Sequence, residues 1–221
     1  MTLRAAVALA LGLALPAWAQ DFIAFSGPVS DETLHLAIAC GALPDKPCQQ
    51  PMQRWPASIA TSLTVTLLPP VEPVLPGIAA EVDRAIDRAI DQINTARAAI
   101  RLQRIEDNAL ADIRISLRDP RAIAMIASGM DDADQIAGLV NITLDDQGDI
   151  DQARIFIAND IRLTEISSVV LEEMLQGLGL PFDLVNPAYN RRSIFSEISN
   201  GVSLLTGQDA AVLRLHYPLP R

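Results

Sequence analysis

After Pro76 the apolar residues take on a helical period. Val82, Ile86, Ala89/Ile90 and Ile93 fall at i, i+4, i+7/i+8 and i+11 and line one face. Glu81, Arg84, Asp87, Arg88 and Asp91 lie mainly on the other side in i,i+3 pairs of opposite charge, which reads as a solvated face. Beyond this long helix the period changes to two. Residues 100–105 and 112–117 alternate and predict strands, and a short helix from Pro120 to about Ser128 separates them from strands at 138–144 and 153–158. Asp145-Asp146-Gln147-Gly148 supplies turn chemistry between the last two, so they form an antiparallel arm. Upstream, the β-branched run 62–68 is a strand stopped by Pro69-Pro70, and the segment PPVEPVLPG is a proline-stiffened connector. Ser30-Asp31-Glu32-Thr33 starts a helix that ends near Ala39 and Gly41. Downstream, one helix runs from about Thr164 to Gly179. A last helix runs from Thr206 to about His216, opened by the capping pair Thr206 and Asp209. The chain has neither an internal repeat nor a low-complexity tract.

The N-terminus changes this picture, because the first nineteen residues read as an export signal. Arg4 is their only charge, an apolar run from Ala5 to Leu15 follows, and Ala17-Trp18-Ala19 is an A-x-A cleavage site. No Cys follows the cut at Gln20, so a lipid anchor is not supported, and no later stretch is apolar enough to span a bilayer. The processed chain of about 200 residues suits one domain with a full core, periplasmic or secreted. Losing Arg4 takes the formal charge from −10 to −11, which excludes nucleic acid as a partner for want of a basic face. Cys40 and Cys48 flank a short Gly/Pro loop and read as a local disulfide in an exported protein. A metal site on these two alone lacks a nearby His or further Cys to complete its ligands.

Candidate chemistry concentrates in Leu171–Pro181 (LEEMLQGLGLP). Glu172, Gln176 and Gly179 share one helical stripe at i, i+4 and i+7, with Leu171, Met174, Leu175 and Leu178 on the opposing apolar face. Zinc-protease helices carry two His at i and i+4 as metal ligands, and a Glu beside the first acts as general base. Here Glu173 holds the base position, and the ligand positions are Glu172 and Gln176. His35, within an apolar helix pattern, and His216, at a helix C-terminus where it suits the dipole, read as structural. Nucleophile elbows, P-loops and dinucleotide fingerprints are absent from the sequence.

The segments after that helix extend the likeness. Gly179 follows as a turn, then Ser193-Ile194-Phe195-Ser196, then Leu205-Thr206-Gly207-Gln208-Asp209 leading into the last helix. In this order the chain resembles the metzincin metalloproteases. More narrowly, it looks like an exported bacterial domain of unknown function with an EExxQxLGL-type helix, an S-I-F segment and an L-T-x-x-D helix. The resemblance implies an α+β fold: a zincin-type mixed sheet with an antiparallel edge strand, a long backing helix, a degenerate active-site helix and a C-terminal helix. The chain then divides into a signal peptide over 1–19, an N-terminal helix and disulfide loop over 20–59 and, by that resemblance, a metzincin-like domain over 60–221. Phe182 falls at the family's third metal ligand, Gly179 at its turn glycine and Phe195 at its Met-turn methionine.

A carboxylate can ligate zinc, a neutral amide ligates it poorly and Phe does not ligate it at all, so zinc is not expected and no other cofactor is implied. Without a metal, Glu173 has no activated water to deprotonate. The sequence therefore points to an inactive metzincin-like module. Its expected partner is a peptide or protein segment added to an edge strand, either 138–144 or 153–158. Two alternatives stand beside it. One is a metal-dependent hydrolase in which Glu172, Glu173 and Asp183 bind a hard cation; on the plainer reading, the two Glu are solvated and Asp183 is a turn residue. The other is a purely structural secreted domain.

Overall fold

A computed structural model of the protein describes residues 17–18, 21–75, 77–106, 111–127 and 136–220. Its elements, in chain order, are β1 (Ala17–Trp18), β2 (Asp21–Ala24), α1 (Asp31–Cys40), β3 (Leu63–Leu67), α2 (Ile78–Thr95), β4 (Leu102–Arg104), β5 (Ile113–Arg118) and α3 (Pro120–Ile126). There follow β6 (Gly138–Leu144), β7 (Ile150–Ala158), α4 (Ile166–Gly177), β8 (Phe182–Val185) and α5 (Gly207–His216). The fold is thus mixed α+β. Cleavage at Ala19 and the connector's Pro76 lie outside the described residues, as does the end expected for α3 at Ser128.

The main sheet has the order β1-β6-β7-β5-β3-β4. β4, β3, β5 and β7 run parallel, whereas β6 returns antiparallel to β7 through the Asp145–Gly148 turn, with a register shift at Thr143/Leu144. Crossovers supply the parallel pairings, and α2 is the one that joins β3 to β4. The strands expected at 138–144 and 153–158 differ in exposure to pairing. β7 is flanked by β6 and β5 and offers no edge, so only β6 fits that expectation.

Strand alternation sorts the sheet into two faces. Ile113, Ile115 and Leu117 of β5 are buried together with Ala153, Ile155 and Ile157 of β7. α4 lies on this face: a Cβ added to Gly177 would sit 3.5 Å from the Ala153 Cβ. α2 turns Val82, Ile86, Ala89, Ile90 and Ile93 into the same core, leaving the Glu81 ion pairs with Arg84 and Arg88 in solvent. Among the described residues no helix is long and apolar enough to cross a membrane.

One pairing was not legible beforehand. β2 and β8 form a parallel two-stranded sheet in which Phe22 aligns with Asp183. Asp183 is therefore a strand residue, not the turn residue of the plainer reading. α1 begins at the Ser30 cap and ends at Gly41 in the left-handed region, and its Cys40 is bonded to Cys48. α1 packs on α5 and β8, so the N-terminal segment closes over the C-terminal one.

Candidate functional site

The end of α4 is fixed by side chains from distant segments. Trp55 Nε1 donates to the Gly177 carbonyl at 2.9 Å, and the Tyr217 hydroxyl donates to the Leu178 carbonyl at 2.7 Å. These bonds satisfy carbonyls that a helix C-terminus leaves without intrahelical donors. Gly179 then turns the chain at φ +90°, where a Cβ would stand 2.0 Å from the Gln53 carbonyl oxygen. Only glycine fits that crossing.

Beside this helix end lies a buried histidine pair. His216 Nε2 is 3.0 Å from the Gln53 carbonyl, and His35 Nε2 is 3.2 Å from His216 Nδ1. The carbonyl can only accept, so His216 Nε2 carries a proton and its Nδ1 accepts from His35. Burial first, then the positive charge of Arg54, lowers the pKa of His35 to about 4 and of His216 to about 3. His216 is consequently a neutral hydrogen-bond relay from His35 of α1 to the Gln53 carbonyl. Burial keeps it neutral, so its structural role lies in these bonds and not in a charge beside the helix dipole.

The stripe residues of α4 do not face solvent either. Glu172, Glu173 and Gln176 are 9%, 3% and 1% exposed. The plainer expectation of solvated glutamates fails because β6, β7 and α2 pack against this helix and Asp183 of β8 meets its polar stripe. Gln176 Nε2 donates to both Asp183 oxygens, at 3.3 and 3.2 Å, which ties α4 to β8. The Glu172 and Asp183 carboxyls hydrogen-bond to each other. Two carboxyls can do so only if one of them keeps its proton.

Burial pushes Asp183 up to about 7, with the charge of Glu197 adding to it and the Gln176 and Glu172 hydrogen bonds opposing. Burial also raises Glu172 and Glu173 well above the carboxylate range, each aided by the neighbouring Asp183 charge. Glu173, at the general-base position, packs its side chain against the first residue of β6. A Cβ on Gly138 would meet Glu173 Oε1 at 2.2 Å and Cγ at 2.7 Å. A buried acid favoured in its protonated form lacks the basic lone pair that a general base needs.

The remaining positions implied by the metzincin likeness are filled by packing. The Phe182 ring lies on Gly41, where a Cβ would come 2.7 Å from its Cζ. Phe195 is wholly buried within a segment that runs along β8, with Leu184 N donating to the Phe195 carbonyl at 2.6 Å. Asp209 clamps that segment by accepting from Ser193 Oγ at 2.7 Å and from Ile194 N at 2.8 Å. Its inward turn corrects the capping pair expected at α5, since Thr206 makes no side-chain capping bond. Burial raises Asp209 to about 6, against those two hydrogen bonds.

Glu172, Gln176 and Asp183 thus meet between α4 and β8, with Glu173 beside them. The parts played by Asp209, Trp55 and Tyr217 were not foreseen, since Asp209 read as a cap and the Trp-Pro and Tyr-Pro contexts carried no chemical signature. The donor set does not fit zinc. Gln176 spends its amide nitrogen on Asp183, and Phe182 offers no donor. Among the described residues no three His, Cys, Asp or Glu side chains are arranged to hold a metal ion.

At the other rim of α4, the β6 edge carries an added strand. Ala17 aligns antiparallel with Ile142 and Trp18 with Asn141. Against known proteins, residues 36–219 match a family described as "Protein of unknown function (DUF2927)", and no curated protein matches.

Proposed function

The chain belongs to the DUF2927 family, and for it we propose the role of an exported, metzincin-like module without metal chemistry that holds an extended polypeptide at the β6 edge. The architecture is supported by the strand order β4-β3-β5-β7-β6 with β6 antiparallel, and by the succession of α4, the Gly179 turn, the Phe195 segment and α5. Loss of catalysis is supported by the packing of Gln176, Phe182 and Glu173. These side chains serve as internal fasteners where a metalloprotease needs ligands and a base.

Binding rests on one observation, the antiparallel pairing of Ala17–Trp18 with Asn141–Ile142. Strand addition recruits backbone N–H and C=O groups, so it demands no catalytic residue and survives the loss of a metal. Cleavage near Ala19 removes β1 and frees the β6 backbone for a partner.

Hydrogen exchange of the β6 amides tests the reading. In the unprocessed chain some β6 amides are protected by β1. In the chain starting at Gln20 they exchange faster, and a synthetic peptide with the sequence LALPAWAQ restores protection, whereas its N-methylated form does not. Equal protection in all four samples removes the binding reading. Stoichiometric metal in the purified protein, with peptide hydrolysis lost in Glu173→Gln, favours the carboxylate-metal hydrolase instead.

A further inference from the structure

The sheet face turned away from α4 carries a cavity of about 410 Å³, lined in part by Ile126, Asn141, Arg154 and Phe156. Its volume, and its mixture of apolar wall with a few polar groups, suit a small ligand or a single side chain. Asn141 is a β6 residue, so the cavity reaches the strand to which β1 is added. Phe156 and Ile126 are only partly buried, which leaves apolar surface at the cavity wall.

Strand register decides which position of an added strand can reach it. Trp18 aligns with Asn141 across the antiparallel β1–β6 pair, and Asn141 aligns with Arg154 across the antiparallel β6–β7 pair. Directly aligned residues share a sheet face, so the position aligned with Asn141 stands on the face of the cavity. Its neighbour, aligned with the buried Ile142, stands on the face packed against α4. From an added strand across β6 to β7 is two strand spacings, about 9–10 Å. Asn141 puts only a short side chain in that path. A small residue of the added strand stops short of Arg154, whereas an aromatic side chain and a long arginine can meet over Asn141.

We propose that this cavity is a side-chain subsite of strand addition, taking an aromatic residue of the extended polypeptide at the Asn141 register; the inference rests on the binding reading above. An aromatic ring uses the flat face of a guanidinium and leaves its hydrogen-bonding edge alone. The bond from Arg154 Nε to Gln152 Oε1 at 2.9 Å therefore does not compete with the ring, and it steadies the guanidinium. Phe156 and Ile126 supply the apolar wall, and a cationic side chain is disfavoured beside Arg154. The segment already paired with β6 has the matching sequence. Its residue at the Asn141 register is Trp18, and the one aligned with Ile142, on the packed face, is the small Ala17.

Calorimetric titration of the chain starting at Gln20 with the peptides LALPAWAQ, LALPAFAQ and LALPAAAQ tests the subsite, with hydrogen exchange of the β6 amides followed alongside. LALPAAAQ is expected to bind at least about tenfold more weakly than LALPAWAQ, and LALPAFAQ within about threefold of it. Arg154→Met, an exchange at an exposed position, is expected to weaken LALPAWAQ about threefold and to leave LALPAAAQ unchanged. If all three peptides protect β6 with equal affinity, strand addition stands and the subsite falls. It falls too if Arg154→Met shifts the Trp and Ala peptides alike or shifts neither. Tighter binding of LALPAEAQ than of LALPAWAQ assigns the position to an acid and overturns the aromatic subsite. Failure of every peptide to bind and protect β6 removes strand addition itself, and the subsite with it.

Discussion

Gly179 and Asp209 each bear a local load that no other residue in the region shares. At Gly179, alanine meets both the left-handed backbone and a carbonyl oxygen 2.0 Å from its Cβ. Alanine there is expected to cost about 2–4 kcal/mol, since the obstacle is backbone and cannot swing aside. Urea unfolding measures this directly, and a loss under 1 kcal/mol, about the difference that glycine's flexibility makes alone, contradicts the crossing described. Asp209→Ala leaves the Ser193 hydroxyl and the Ile194 N–H buried without their acceptor, at a cost of about 2–4 kcal/mol. Asp209→Asn keeps one acceptor oxygen and should lose less than half as much. Equal losses in the two variants would assign Asp209 some role other than accepting these bonds.

Helix boundaries separate what the sequence disclosed from what it withheld. Ser30 and Thr206 both read as N-caps, yet of the two only Ser30 accepts from the backbone, taking Thr33 N at 3.2 Å. Ser30→Ala is therefore expected to cost about 1 kcal/mol and Thr206→Ala at most a few tenths, as read from denaturation midpoints. Comparable losses would contradict this assignment of caps. The difference arises because the acid three residues into α5 is drawn away by Ser193, a contact between segments that no local pattern encodes. Period located α2 and β5, and a β-branched run before Pro69-Pro70 marked β3, whereas β7 was expected only from Ala153 and begins at Ile150. α4 is buried all round and β8 is a short apolar stretch after a turn, so neither period nor polarity revealed their surroundings. For the same reason Glu172 and Glu173 read as solvent residues. Nothing in their neighbours announces that β6 and β8 close over them.

Over the whole molecule, the buried titratable groups pull stability in opposite directions with pH. His35 and His216 have lowered pKa values, about 4 and 3, so the unfolded chain binds protons there that the folded chain refuses. Their contribution is complete above about pH 6.5 and is lost as the pH falls towards 4. The carboxyls act the other way. Asp183, raised to about 7, and Asp209, raised to about 6, keep protons in the fold that the unfolded chain has released. Their contribution is complete below about pH 4 and is lost as the pH rises through 6 and 7. Above pH 6.5 the unfolded histidines lose their remaining protons, so the carboxyls increasingly set the slope. Stability should therefore fall between pH 6.5 and 8.5. Asp183→Asn removes a proton-binding site from the fold and relieves Glu172 of a neighbouring charge, so its decline should be shallower. The slopes can differ by up to about 1.4 kcal/mol per pH unit, the value for one proton. Urea midpoints for the two proteins across this range decide the matter. Parallel profiles would mean that the Glu172–Asp183–Gln176 cluster holds no extra proton at neutral pH. Its carboxyls would then be ionised together, and the repulsion between them would call for a cation that a tie of hydrogen bonds does not require.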